Sequence, residues 1–530
     1  MAGSIHGLEK RAVVSSFIFR FPNGPSEKPQ VALFQRSDKV RTYQHRIAPI
    51  SGSISRKDPD PITAAWREIS EETKLTPSNL TFWRSGKPFT FDDESVGREW
   101  AINPFAFRLA EGAEKAIEID WEHEGWQWYD PTTVVNDDTF KDKCVPRLRE
   151  SLRRVWFESE LNDAAGQALG SGLERLLHDH SSGSHELTTI ALGVFRDFVT
   201  QTRDYIFETE WWEDTRMAAW HLVKNGRESM GAATLNALLA ILEEMDEIRR
   251  MDSFPEDTFE RMITIIDHHI RGRKSRAGLV KDTFASYVRS NILSKGQQRE
   301  KLTIVTISSS STIRDSIMEA FASLDIPALE LRILESRPLF EGVNFGSAIL
   351  SKRLEQLKDT TKKKLHVNLY TDAAAAIAVK DADIVLLGAD RISRSKGVSN
   401  KTGSLPLVLS AKHVSPTAKI VVLSELEKVN GQNGMIDDEK HEDNDPSEVF
   451  GTWKADGVKN VGHVEAAFSS GKDSDSTVAV RNVYFEWIPL PLVDAFVSGE
   501  GILRDTRIRE KADQQDELAR WYFDSIAIRY

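Results

Sequence analysis

The sequence predicts a multidomain α/β protein, and three observations carry that expectation. A chain of 530 residues has room for about three to four domains of ordinary size. Its first 157 residues place apolar strand-like runs around one strongly patterned helix. After residue 300, short apolar runs alternate with helical segments, the pattern of a parallel sheet wound by right-handed crossovers.

The patterned helix starts at Asp60-Pro61, where Asp suits an N-cap and Pro the first helical position. Ile62, Ala65, Trp66 and Ile69 repeat at i, i+3, i+4, i+7 and form a core-facing stripe. Glu68, Glu71 and Glu72 fall on the other side at i, i+3, i+4. Like charges at this spacing repel by some tenths of a kcal/mol per pair. A hard divalent cation such as Mg²⁺ turns that cost into a binding site, because it takes oxygen ligands and bridges phosphates. Residues 13–19 and 31–34 read as strands before the helix, and 101–109 and 126–129 as strands after it. Residues 120–125 read as a turn, and a helical run around 146–156 closes the unit.

Gly52 followed by Arg67-Glu68-Ile69-Ser70-Glu71-Glu72 and Leu75 resembles the Nudix box. That family hydrolyses a nucleoside diphosphate linked to another group, on an α/β/α sandwich. The resemblance implies Glu68, Glu71 and Glu72 as ligands of Mg²⁺ or Mn²⁺. Glu71, Glu68 and Arg67 would be catalytic, with Arg67 orienting the carboxylates. The loop here is one residue longer than the family pattern, its acidic position falls on Asp58 or Asp60, and Lys74 replaces the final glycine.

Composition narrows the setting. A net charge of −12 argues against a protein that binds nucleic acid by broad phosphate neutralisation. One cysteine, Cys144, rules out an internal disulfide framework and suits a reducing compartment. With no secretory pattern at the start and no apolar run near ~20 residues, we expect a cytoplasmic protein with no membrane partner.

Residues 158–185 read as a linker, ending in a polar stretch with three histidines and no spaced partner for a metal. Gly170-Ser171-Gly172 follows no strand and carries no nucleotide-binding weight. Residues 186–298 read as a helical bundle; the adjacent His268 and His269 face different sides of a helix and form no metal pair. Residues 299–510 carry the parallel sheet, with expected strands at 302–307, 329–334, 367–370, 384–387 and 420–423, and residues 511–530 a C-terminal helix. Residues 430–448 and 469–476 read as surface insertions.

Polar residues follow each expected strand: Ser308 to Thr312, Glu335-Ser336-Arg337, Thr371-Asp372, Gly388-Ala389-Asp390 and Ser424-Glu425. The carboxyl ends of parallel strands line one crevice where ligands bind. The serines, including Ser308 and Ser310, also precede a helix whose N-terminus favours phosphate. Arg337 and Lys401 would add charge suited to phosphate oxygens.

Glu335-Ser336-Arg337-Pro338 with Glu341-Gly342, then Gly388-Ala389-Asp390-Arg391-Ile392, then Asn400-Lys401 with Gly403 resemble one superfamily. It contains the alpha, beta and delta subunits of translation initiation factor 2B and the isomerases of methylthioribose 1-phosphate and ribose 1,5-bisphosphate. The resemblance also takes in Arg227-Glu228-Ser229-Met230 and Phe485-Glu486-Trp487-Ile488-Pro489. It implies a helical bundle with a Rossmann-like domain and homo-oligomerisation through the latter. The implied crevice, with Ser308, Ser310, Arg337, Asp390, Asn400 and Lys401, would hold a sugar phosphate, a nucleotide or a protein partner. The isomerases place a cysteine where this chain has Ser308. A thiol titrates near 8.5 and is readily tuned, whereas a hydroxyl needs a strong adjacent base. The expected whole is a metal-dependent pyrophosphohydrolase of a nucleoside diphosphate-linked metabolite, joined to a binding domain. The alternatives are a non-catalytic regulatory protein with a vestigial box, and a sugar-phosphate isomerase using Ser308 and Asp390.

Overall fold

The computed structural model describes residues 8–22, 29–179, 182–227, 231–251, 257–293, 299–356, 363–432, 435–436, 441, 443–469 and 478–526. The chain forms two compact units, the first of residues 1–177, 194–226 and 525–530, the second of residues 178–193 and 227–524.

In the first unit an eight-stranded sheet is built around two long parallel strands, Glu9–Arg20 and Arg98–Leu109. Gln30–Arg36 and Ile50–Ser53 run antiparallel to the first, and Leu80–Ser85 and Phe89–Asp93 antiparallel to the second. His123–Tyr129 adds to Gln30–Arg36, so part of the stretch expected as a turn is strand.

Side chains alternate across a strand, and the two faces of Glu9–Arg20 feed two cores. Val14 and Ile18 pack with Ala64, Ala65 and Ile69 of the helix Pro61–Thr73. Phe17 and Phe19 pack with Leu148, Leu152 and Val155 of the helix Leu148–Val155. Helices thus cover both faces, as the expected α/β/α sandwich requires. Asp60 caps Pro61–Thr73 by accepting from Thr63 N at 2.8 Å. At the other end Lys74 takes φ 61°, the left-handed conformation that glycine adopts without strain.

Two assignments made from sequence change here. Most of the stretch read as a linker is the helix Asp163–His178, which buries Ala165, Leu169, Leu173 and Leu176. Their helical spacing was outweighed by the glycines and the polar run beyond them. Residues 194–226, expected with the helical bundle, group with the first unit. There Asn225 holds the backbone of Ser85 by two 2.8 Å hydrogen bonds, and His221 stacks on Phe157.

In the second unit a seven-stranded sheet has the order Lys364–Tyr370, Ala328–Leu334, Leu302–Ile307, Ile384–Leu387, Lys419–Leu423, Ala495–Ser498, Gly501–Leu503. Every pair is parallel except the last. Ile304 and Leu331 face one core, Val305 and Leu334 the other. The helices Gly231–Arg249 and Thr258–Asn291 precede this sheet. A four-stranded sheet made of Val429–Asn430, Arg391–Ser393, Gly397–Lys401 and Phe485–Ile488 was not foreseen. Nor was the helix Pro446–Ala455, which begins inside the expected 430–448 insertion. Residues 228–230 and 470–476, part of the sequence expectations, lie outside the described residues.

Candidate active site and ligand crevice

Arg67 organises the first site. Its Nε and Nη2 each donate to Asp58, at 3.1 Å, and Nη2 also donates to Ser53 O at 3.1 Å. Nη1 donates to Glu68 at 2.7 Å and to Glu71 at 3.2 Å. The acidic loop position is therefore Asp58, which pairs with Arg67, while Asp60 serves as the cap. The forked guanidinium holds the Asp58 carboxyl far below its usual range and is itself held protonated by it.

The three glutamates occupy three environments. Glu71 is the open one, its side chain 58% exposed, and Glu68 is largely covered. Glu68 lies against Gly52, where a β-carbon would fall 2.0 Å from its Cδ. Burial is the main cause that raises the Glu68 carboxyl above its ordinary value. Glu72 is buried and bonded to His123 Nε2 at 2.6 Å, and its Oε1 has no hydrogen-bond partner. Burial first, then the Glu122 and Glu68 charges, push its carboxyl well above the carboxylate range. Burial and Asp120 likewise raise Glu122.

Glu122, His123 and Arg36 were not singled out from sequence. They lie 50 residues or more along the chain from Glu72, or on the strand before the loop, and no local spacing links them. The only signal was the acidic content of residues 120–124.

This donor set suits a hard divalent cation. Carboxylate oxygens crowd together at a cost that positive charge removes, and Glu72 carries a buried unpartnered oxygen. Among the described residues no three acidic or imidazole groups already stand at metal-ligand spacing. Arg67 Nη1 bridges Glu68 and Glu71 instead. Beside the carboxylates opens a cavity of about 330 Å³, reached by Gly52, Glu68 and Glu122.

In the second unit a cavity of about 280 Å³ lies at the carboxyl ends of the sheet strands. Ser308, Ser310, Asp390 and Asn400 line it. Ser310 caps the helix Ser311–Ser323. Ser308 takes φ 74°, a left-handed conformation rare for a residue with a side chain, and its N–H donates to Ser336 Oγ at 2.8 Å.

Arg337 and Lys401 are not brought there. Arg337 is spent on Glu335 at 3.0 Å and Asp456 at 2.6 Å. Lys401 is buried against Glu341 and the Tyr484 ring. Successive side chains of a strand point to opposite faces, so Lys401 turns away from the cavity that its neighbour Asn400 lines. The basic side chains that do line it are Arg273, Lys428 and His185, the last held toward its neutral form by burial and the Arg273 charge. Arg273 pairs with Glu427, and Lys428 Nζ donates to Ala389 O at 2.5 Å. Burial lowers the Lys428 ammonium, opposed by the Asp390 and Glu425 charges.

Comparison with known proteins places both halves. Residues 181–505, more than half of the chain, match the initiation factor 2 subunit family, and residues 10–148 match the NUDIX domain. The chain belongs to the initiation factor 2 subunit family. A methylthioribose-1-phosphate isomerase of Methylococcus capsulatus is 28% identical over 142 residues, covering 26% of this chain and 35% of that protein. Its counterpart from Pseudomonas fluorescens is 32% identical over 139 residues, covering 26% and 34%. The chain thus spans about a third of the length of these curated relatives. Among solved structures, a Pyrococcus horikoshii translation initiation factor eIF-2B matches at 18% identity with a TM-score of 0.43, over 65% of this chain and 98% of that one. Within this family member, the NUDIX domain forms the core of the first unit, and the initiation factor 2 subunit region carries the parallel sheet. Among the described residues, no helix is long and apolar enough to cross a membrane.

Proposed function

We propose that the first unit is a Mg²⁺- or Mn²⁺-dependent hydrolase that cuts the diphosphate of a nucleoside diphosphate-linked metabolite. The observation that carries this reading is the Glu68 carboxylate seated against Gly52 and tied to Arg67, beside the unpartnered oxygen of Glu72. Glu68, Glu71 and Glu72 would hold the metal, whose chemistry is to neutralise diphosphate charge and lower the pKa of water. Glu71, open to solvent, accepts the proton of the attacking water. A new P–O bond forms, the bridging P–O bond breaks, and two phosphate monoesters leave. Asp58 and Ser53 O hold Arg67 from behind, so its Nη1 sets where Glu68 and Glu71 point.

The second unit binds a phosphorylated small molecule in its crevice, which combines Arg273, Lys428 and His185 with a serine-rich helix start. A sugar-phosphate isomerase is the second reading, favoured by Ser308 and Asp390 lining the same cavity. Aldose–ketose interconversion abolished by Asp390→Asn would establish it. The hydrolase reading is tested by incubating the full chain with Mg²⁺ and a library of diphosphates, wild type beside Glu71→Gln. Cleavage lost in the variant supports the reading; cleavage indifferent to the substitution removes Glu71 from it.

A further inference from the structure

The cavity beside Glu68 has a second wall that the hydrolytic chemistry does not use. Phe91 and Trp100 are direct cross-strand partners and both line it, joined by Tyr43. Tyr43 is fixed there: its hydroxyl donates to Asp93 at 2.8 Å and accepts from Trp100 Nε1 at 3.1 Å. Its backbone takes φ 53°, a conformation uncommon for a bulky residue and concentrated at functional positions. The donors of this wall are spent on each other and on Asp93, and Arg98 and Arg147 lie over one face of Trp100 and of Phe91, so the wall has ring surface rather than the hydrogen bonds a sugar needs.

Between this wall and the carboxylates stands Arg36. Its Nε donates to Thr42 O at 3.2 Å, and among the described residues it forms no ion pair. Burial works against its charge, which Glu72, Glu122 and Tyr43 support without pairing with it. A half-buried guanidinium without a paired carboxylate is a receptor for a phosphoryl oxygen. A volume of about 330 Å³ lies in the range of small-molecule sites.

We propose that this cavity is the substrate pocket, in which Arg36 binds a phosphoryl group and the Tyr43–Trp100–Phe91 wall takes a nucleobase by stacking. The proposal rests on the hydrolase reading and adds what that reading leaves open: the base, not the group linked to it, is recognised beside the metal carboxylates. Substrates without a planar ring are then poor ones.

Calorimetric titration of the full chain, with EDTA present so that no cleavage occurs, separates the two claims. ADP, GDP, UDP and CDP are compared with inorganic pyrophosphate. At least one nucleoside diphosphate binds wild type roughly tenfold or more tighter than pyrophosphate, the gain that stacking one base supplies. Phe91→Leu, which keeps bulk and removes the ring, and Tyr43→Ala both abolish that advantage and leave pyrophosphate binding unchanged. Arg36→Gln weakens both ligand types. A nucleotide held in the crevice of the second unit is untouched by these substitutions, so it is the number of nucleotides bound per chain that decides. One fewer in each variant than in wild type supports the proposal, and an unchanged number with unchanged preference overturns it. Equal binding of pyrophosphate and all four nucleotides by wild type overturns it too. Ring-dependent binding without any Mg²⁺-dependent cleavage contradicts the hydrolase reading alone.

Discussion

The carboxylate of Glu68 occupies the space where a side chain on residue 52 would begin. A β-carbon at Gly52 falls 2.0 Å from Glu68 Cδ and 2.1 and 2.3 Å from its two oxygens. The glycine is thus a seat for a carboxylate, and its φ is not what demands it. Strand Ile50–Ser53 and helix Pro61–Thr73 are locked in register by this contact, which places Glu68 under the guanidinium of Arg67.

Gly52→Ala therefore displaces Glu68 without touching the core. A misplacement on the order of 1 Å at a catalytic group costs about a hundredfold in rate. We expect kcat for diphosphate cleavage to fall by about that factor, while the melting temperature moves by only a few degrees. Steady-state kinetics and a thermal melt measure both; unchanged kcat with a well-folded variant would remove the seat from the mechanism.

His221 predicts an acid-sensitive first unit. It is fully buried, stacked on Phe157 with centroids 5.5 Å apart, and its Nδ1 lies 2.7 Å from Asn225 Nδ2. Burial, then the Arg84 and Arg154 charges, hold it well below its ordinary 6.5. The unfolded chain therefore takes up a proton below about pH 6.5 that the folded chain refuses. Stability is full above that pH and falls as the medium is acidified. Melting temperatures of wild type and His221→Gln from pH 7.5 to 5 should diverge on this account, the variant losing less. Parallel curves would show that His221 does not set the slope.

Structure and site separate cleanly in the second unit. A β-carbon on Gly342 would lie 1.8 Å from the backbone oxygen of Leu334, so Gly342→Ala forces the helix Glu341–Gln356 off the sheet. Overpacking of this kind costs about 1–3 kcal/mol. Arg337→Ala, which breaks two partly exposed ion pairs and a contact with the Phe340 ring, should cost about 1 kcal/mol and leave ligand binding in the crevice intact. Denaturant unfolding ranks the two; a larger loss from Arg337→Ala would reverse the assignment.

What the sequence disclosed was whatever is local in the chain. The strand Ile384–Leu387 was legible because four apolar residues stand between turns, and Pro61–Thr73 because its cap, proline and stripe agree. The same logic found Arg67, Glu68, Glu71 and Glu72, which share one helix. It could not choose between Asp58 and Asp60, since that depends on where a loop folds back. It missed Glu122, His123 and Arg36, which reach the site only through strand pairing. For the crevice, motif order named Ser308, Asp390 and Asn400, which line the cavity. Arg337 and Lys401 were misplaced because a cation's ion-pair partner, here Glu335 with Asp456 and Glu341, is invisible in one dimension. Arg273, from a helix far upstream, and Lys428 are the cations that line the cavity.

The central claim is that the carboxylates gathered by Arg67 form a working metal site, and cleavage by the full chain tests it most directly. With Mg²⁺ and a nucleoside diphosphate-linked substrate, wild type should yield two phosphate monoesters. Glu71→Gln should lose roughly two or more orders of magnitude in kcat, the range of general base catalysis, and EDTA should abolish the reaction. Products formed at the wild-type rate by Glu71→Gln, or no cleavage of any diphosphate by wild type, would contradict it.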